Sequence, residues 1–167
     1  MNFTVSIKTV YNCSLERAFK TPILYDVSKI HTGYGIMPKV THCTDDEYWG
    51  KPGYSKKIFV APSLTQKGGW AFNDNVIARI ENKYLKIVLN DFKFWILGFS
   101  TFTGEWETTE LDTNKILIVY TYTLQSNSVL LYPAQWLFAH TFWRVYMKRV
   151  LKIVRLLAYN NEPYLYQ

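Results

Sequence analysis

The chain has 167 residues, 19 Lys+Arg against 13 Asp+Glu, a formal charge of +6 and an aromatic content of 17%. That length suits one domain spanning residues 1–167, with enough chain for a real core. The charge favours anionic partners without naming one. The sequence has no arginine-rich tract, no Gly-rich phosphate loop and no zinc-ligand spacing, which argues against nucleic acid, a metal and a cofactor as partners.

Met1–Val10 lacks the basic-then-apolar pattern of a leader, and no apolar run approaches the ~18 residues of a membrane span. The expectation is a cytoplasmic protein without stable membrane insertion. Asn2–Tyr11 alternates, with Phe3, Val5 and Ile7 on one side and Thr4, Ser6 and Lys8 on the other, as a half-buried strand does. Ser14 reads as an N-cap for a short helix Leu15–Lys20, with Glu16 favoured by the helix dipole and Pro22 ending it. A second short helix is expected over Leu24–Lys29, then a loop at His31-Thr-Gly-Tyr-Gly. Cys13 and Cys43 read as free thiols rather than a disulfide framework.

Strands are expected over Val40–Asp46, Ser55–Ala61, Gly69–Ile80, Tyr84–Phe94, Gly104–Glu110 and Lys115–Gln125. Turn chemistry separates them at Lys51-Pro-Gly, Gln66-Lys-Gly-Gly, Glu81-Asn-Lys and Asp112-Thr-Asn. The chain then closes with a helix from Pro133 to about Ala158, about 25 residues or roughly 37 Å long. On a 100° wheel, Ala139, Phe142, Trp143, Tyr146, Val150, Ile153, Val154 and Leu157 share one face. Arg144, Lys148, Lys152 and Arg155 share the opposite one, most simply a solvated stripe, with a peripheral membrane contact as the lesser reading. Strands followed by a helix argue for an antiparallel α+β domain.

This order resembles the helix-grip fold of the START-like (SRPBCC) superfamily, which includes birch pollen allergen-like and polyketide cyclase-like proteins. Its landmarks are the first strand, the helical pair Leu15–Lys29, the Lys51-Pro-Gly-Tyr turn, the Gly68-Gly69 hairpin and the terminal helix. The resemblance implies a curved seven-stranded antiparallel sheet gripping the C-terminal helix, with a hydrophobic cavity between them. It also implies a lipid-, sterol- or polyketide-like ligand.

Several residues are candidates for lining that cavity. With Asn82-Lys83 as a two-residue hairpin loop, Ile80/Leu85, Ala78/Ile87, Val76/Leu89, Asp74/Asp91 and Phe72/Lys93 become facing pairs. Asp74 and Asp91 then oppose each other on the concave face, where one would keep a proton and offer acid–base chemistry. The alternative is a bulge or a wet mouth that keeps them apart. Trp106, flanked by Glu105 and Glu107, points inward by alternation. Tyr120 and Tyr122 share a face, and Trp136, Trp143 and Tyr146 join them from the helix as a group of rings with polar tips. His140 lies on the flank of the helix, as either a cavity base or a partly exposed helix residue. The apolar segment Phe94–Phe99 reads as a strand end, a lip, a homodimer contact or a membrane-touching loop. No nucleophile elbow or acid–base motif is present. The leading expectation is therefore a non-catalytic binder of a small hydrophobic ligand. Its alternatives are an enzyme of cyclase or hydrolase type using Asp74, Asp91 or His140, and a self-associating module.

Overall fold

The computed structural model describes residues 1–44, 47–64 and 66–166. Strand β1 (Asn2–Tyr11) leads into helices α1 (Leu15–Leu24) and α2 (Val27–Ile30). Six strands follow: β2 (Val40–Cys43), β3 (Ser55–Val60), β4 (Gly69–Ile80), β5 (Tyr84–Asn90), β6 (Phe99–Asp112) and β7 (Lys115–Ser126). All pair antiparallel in one sheet of order β1-β7-β6-β5-β4-β3-β2. The expected strand Val40–Asp46 ends at Cys43 among the described residues, and its Asp45 and Asp46 lie outside them. No helix among the described residues is long and apolar enough to cross a membrane.

Helix α1 continues through Pro22 instead of stopping before it. Ser14 caps its start by accepting from the Arg17 N–H. Proline cannot donate to the carbonyl four residues back, which ordinarily breaks a helix. Here that carbonyl, on Ala18, accepts from Trp106 Nε1 at 3.2 Å. The next exposed carbonyls are also taken, Ile23 O by Trp49 Nε1 and Leu24 O by the N–H groups of Leu165 and Tyr166. Tertiary partners thus offset the local penalty.

The C-terminal helix runs for 28 residues as α3 (Tyr132–Leu137), a π-helical turn (Phe138–Trp143) and α4 (Arg144–Tyr159). The wide turn takes in one extra residue, so the buried arc downstream is rotated by about one 100° step relative to an unbroken α-helix. Gln135, Phe138 and Ala139 are buried before or within the turn, and Trp143, Tyr146, Met147, Val150, Leu151, Val154 and Ala158 at its end and beyond it. A single-phase wheel therefore misses Met147 and Leu151 and overstates Ile153 and Leu157, which are only half-buried. Three donors of Arg17 cap the far end by reaching the carbonyls of Leu157, Ala158 and Glu162.

The hairpin β4–β5 departs from its expected register twice. The turn is Glu81-Asn82-Lys83, with Asn82 left-handed (φ 58°) and the Lys83 N–H bonded to Ile80 O, so Ile80 faces Tyr84. A bulge then follows between Val76 and Ala78. The two one-residue slips cancel in side-chain parity. Asp74 stays on the concave face, but its partner is Leu89.

Candidate functional site

The concave face of the sheet and the C-terminal helix enclose a cavity of two adjoining lobes, each about 60 Å³. The first is walled by Met37, Phe72, Phe92, Phe94, Phe102, Trp143 and Tyr146, among others. The second lies between Trp49, Lys56, Leu85, Trp106, Val150 and Val154. Both share Val27, His31, Asp74, Ile87, Tyr120 and Tyr122, so His31, Asp74 and two tyrosines sit at the waist, with Lys56 beside them in the second lobe.

Strand alternation places this wall. Trp106, Tyr120 and Tyr122 come from the inward positions of β6 and β7, and all are buried. Edge-to-face contacts link Trp106 to Tyr120 (5.2 Å between centroids), Tyr120 to Tyr122 (5.3 Å) and Tyr122 to Trp143 (5.2 Å). Such ring pairs stabilise beyond their buried area. Gly104 faces Tyr122 across the ladder. A Cβ there would sit 2.8 Å from Tyr122 Cζ, so the missing side chain is what lets the phenol lie flat in the cavity.

The waist is polar but electrically restrained. Asp74 is 8% exposed, and its Oδ1 has no hydrogen-bond partner among the described residues. Burial pushes its carboxyl up to about 6, against the opposing pull of the Lys56 ammonium. His31 Nδ1 lies 2.7 Å from the Tyr146 hydroxyl. Burial, then Lys56, lowers the imidazole to about 4, which keeps it neutral near neutral pH. Tyr120, Tyr122 and Tyr146 are raised by the same desolvation and remain phenols. Lys56 is itself 3% exposed, with Nζ 3.8 Å from the Trp49 ring centroid, a cation–π geometry.

Seven of the expected site residues therefore meet at the cavity: Phe72, Asp74, Trp106, Tyr120, Tyr122, Trp143 and Tyr146. Three do not. Asp91 follows the end of β5 in a left-handed conformation (φ 56°). Its exposed carboxylate accepts from Lys93 Nζ at 2.6 Å and from Asn73 Nδ2. The facing pair Asp74/Asp91 does not form, and the acid–base reading keeps Asp74 alone. Trp136 is 48% exposed because it lies ahead of the π turn, in the unrotated phase of the helix. It stacks outside on His140 at 4.7 Å. His140 Nδ1 donates to the Trp136 carbonyl, and Thr141 does the same to Leu137, so His140 serves its own helix rather than the cavity.

Two polar cavity residues, Lys56 and His31, escaped the sequence reading. Lys56 was legible, since Ile58 and Val60 set the inward parity of β3 and Lys56 shares it. His31 lies in a loop, where no periodicity says which way a side chain points.

No protein-family model matches the sequence, and no curated protein matches it as a relative. Solved structures do match in shape. Ara h 8.0201 superposes with a TM-score of 0.70 at 13% identity, over 96% of this chain and 100% of its own. Norcoclaurine synthase from Thalictrum flavum gives 0.68 at 9% identity, over 98% and 90%. A Staphylococcus aureus protein of unknown function gives 0.65 at 13% identity, over 93% and 95%. Identities this low speak to architecture alone. With the seven-stranded antiparallel sheet wrapped on a long C-terminal helix, they establish that this chain has the helix-grip fold seen in those structures.

Proposed function

We propose that the protein binds a compact, ring-bearing hydrophobic molecule in the two-lobed cavity, oriented by one polar group at the waist. The observation that carries this is the contrast between walls and waist: mostly aromatic and aliphatic side chains surround one carboxylate, which faces the buried Lys56 across the strand pair and whose Oδ1 is unpartnered among the described residues. Ligand sites commonly combine an apolar lining with a few placed polar groups. The norcoclaurine synthase of similar fold was solved with dopamine and hydroxybenzaldehyde, both one-ring compounds, which is consistent with a compact occupant. Each lobe, at about 60 Å³, is smaller than the roughly 150 Å³ cavity that takes up benzene, so even a one-ring occupant would span the waist and draw on both lobes. A sterol or long acyl chain belongs to pockets of roughly 300 Å³ or more and would require these walls to part.

Titration calorimetry with 2-naphthol, whose hydroxyl can donate to Asp74, tests the proposal. One molecule should bind per chain with a negative heat-capacity change, the mark of apolar burial. Heat that never saturates, or uptake of several molecules per chain, would count against a single cavity site.

A further inference from the structure

The outer surface beside the cavity carries a second feature, independent of what the cavity holds. Six large apolar side chains stand exposed there: Trp95 (68%), Val129 (73%), Leu130 (95%), Tyr132 (48%), Trp136 (48%) and Leu137 (56%). They come from the loop after β5, the loop after β7 and the first turns of the C-terminal helix. Hydrogen bonds lock these segments together. Gln135 Nε2 donates to Leu97 O at 2.7 Å and to Ser126 Oγ at 2.6 Å, and Ser126 Oγ donates to Gly98 O. Exposed apolar patches of this kind are uncommon on a surface that faces only water.

Charge identifies what covers the patch. The sequence has no Asp or Glu between Asp112 and Glu162, while Lys115, Arg144, Lys148, Arg149, Lys152 and Arg155 fall within that stretch. On the helix, the outward side passes from Trp136 and Leu137 to the exposed Arg144, Lys148, Arg149 and Lys152. Asp91, the acid on the loop beside Trp95, is neutralised by Lys93. Tryptophan and tyrosine favour the membrane–water boundary, and flanking cations favour anionic headgroups.

We infer that this face docks on the surface of an anionic lipid bilayer, with Trp95, Leu130 and Leu137 dipping into the headgroup boundary and the helix cations resting on it. The same loop supplies Phe92, Phe94 and Ile96 to the wall of the first lobe. Docking therefore sets that lobe's rim against the membrane, where apolar molecules concentrate.

Vesicle sedimentation of the full chain tests this, with phosphatidylcholine alone and with phosphatidylcholine mixed with phosphatidylserine. Binding should be at least about tenfold stronger to the mixed vesicles and weaken with salt. Tryptophan emission should shift to the blue and be quenched by brominated acyl chains. Trp95→Ser with Leu130→Ser should reduce the blue shift and lower binding about tenfold. Lys148→Ser with Lys152→Ser should remove the preference for phosphatidylserine. Both pairs are exposed, so melting temperatures should stay nearly unchanged. The 2-naphthol titration should be unaffected, which separates failure here from failure of the cavity proposal. Equal binding to both vesicles, or binding undiminished by Trp95→Ser with Leu130→Ser, would overturn the inference. So would sedimentation of the chain as a dimer that those two substitutions dissociate.

Discussion

Replacing Asp74 by Asn is expected to stabilise the protein by roughly 3 kcal/mol at neutral pH and by almost nothing near pH 4. In the folded chain the carboxyl is raised from 3.8 to about 6, mainly by burial. A raised carboxyl binds its proton more tightly folded than unfolded. Its contribution is therefore fully present below the unfolded value and is lost as pH climbs through about 6. The amide has no charge to desolvate and escapes that loss. His31 runs the other way. Its value falls from 6.5 to about 4, so its contribution is present above the unfolded value and lost as pH drops toward 4. The two windows overlap, and in the wild type they largely cancel between pH 4 and 6. Each single substitution should expose the other residue: Asp74→Asn should lose stability on acidification, and His31→Asn should gain it. Denaturant unfolding at intervals from pH 4 to 7 provides the check. A difference between wild type and Asp74→Asn that does not change with pH would show that Asp74 is not desolvated at the waist.

Trp143→Ala is expected to cost about 3–5 kcal/mol, the usual loss for a large ring deleted from a core. Trp143 is 3% exposed and packs against Phe102, Tyr122, Phe138 and Tyr146 with centroid distances between 4.9 and 6.1 Å. Its deletion would merge the first lobe with the space left behind and remove one wall of the site. Affinity for 2-naphthol should fall with it. Trp143→Phe should cost much less, because Nε1 has no partner among the described residues and a ring still fills most of the space. Urea unfolding of the three proteins measures this. A loss under about 1 kcal/mol for the alanine variant would mean that the helix is not clamped to the sheet by this residue.

Much of the architecture was legible because alternation and amphipathicity are strong signals over long elements. The bounds of β1 and β4 were read correctly, and β7 was missed by one residue. What failed were features that shift phase. The three-residue turn at Asn82 and the bulge beside Val76 each move the ladder by one residue. Asp74 kept its inward position only because the two shifts cancel. Asp91 was lost because a left-handed residue ends the strand before parity can bring it inward. Trp136 was misplaced because of the π turn, which carries no clear sequence mark and changes the helix phase after it, whereas His140 is the partly exposed flank residue that one of its two readings described. Pro22 misled in another way: its local cost was real, but the acceptor it left open is used by Trp106, 88 positions along the chain. Within the site, the strand-borne rings were readable and so was Lys56. His31 depended on a loop path that only the folded chain reveals.

The central claim is that an apolar molecule enters the lobes between sheet and helix. Methyl NMR during titration with 2-naphthol measures this most directly. Ile58, Ile87 and Leu89 line the cavity, whereas Ile77, Ile80 and Leu111 are more than half exposed and point away from it. The first three should shift saturably and together, while the outward three and Leu130 stay in place. Movement confined to the exposed methyls, or no saturable movement at Ile58, Ile87 and Leu89, would contradict the account.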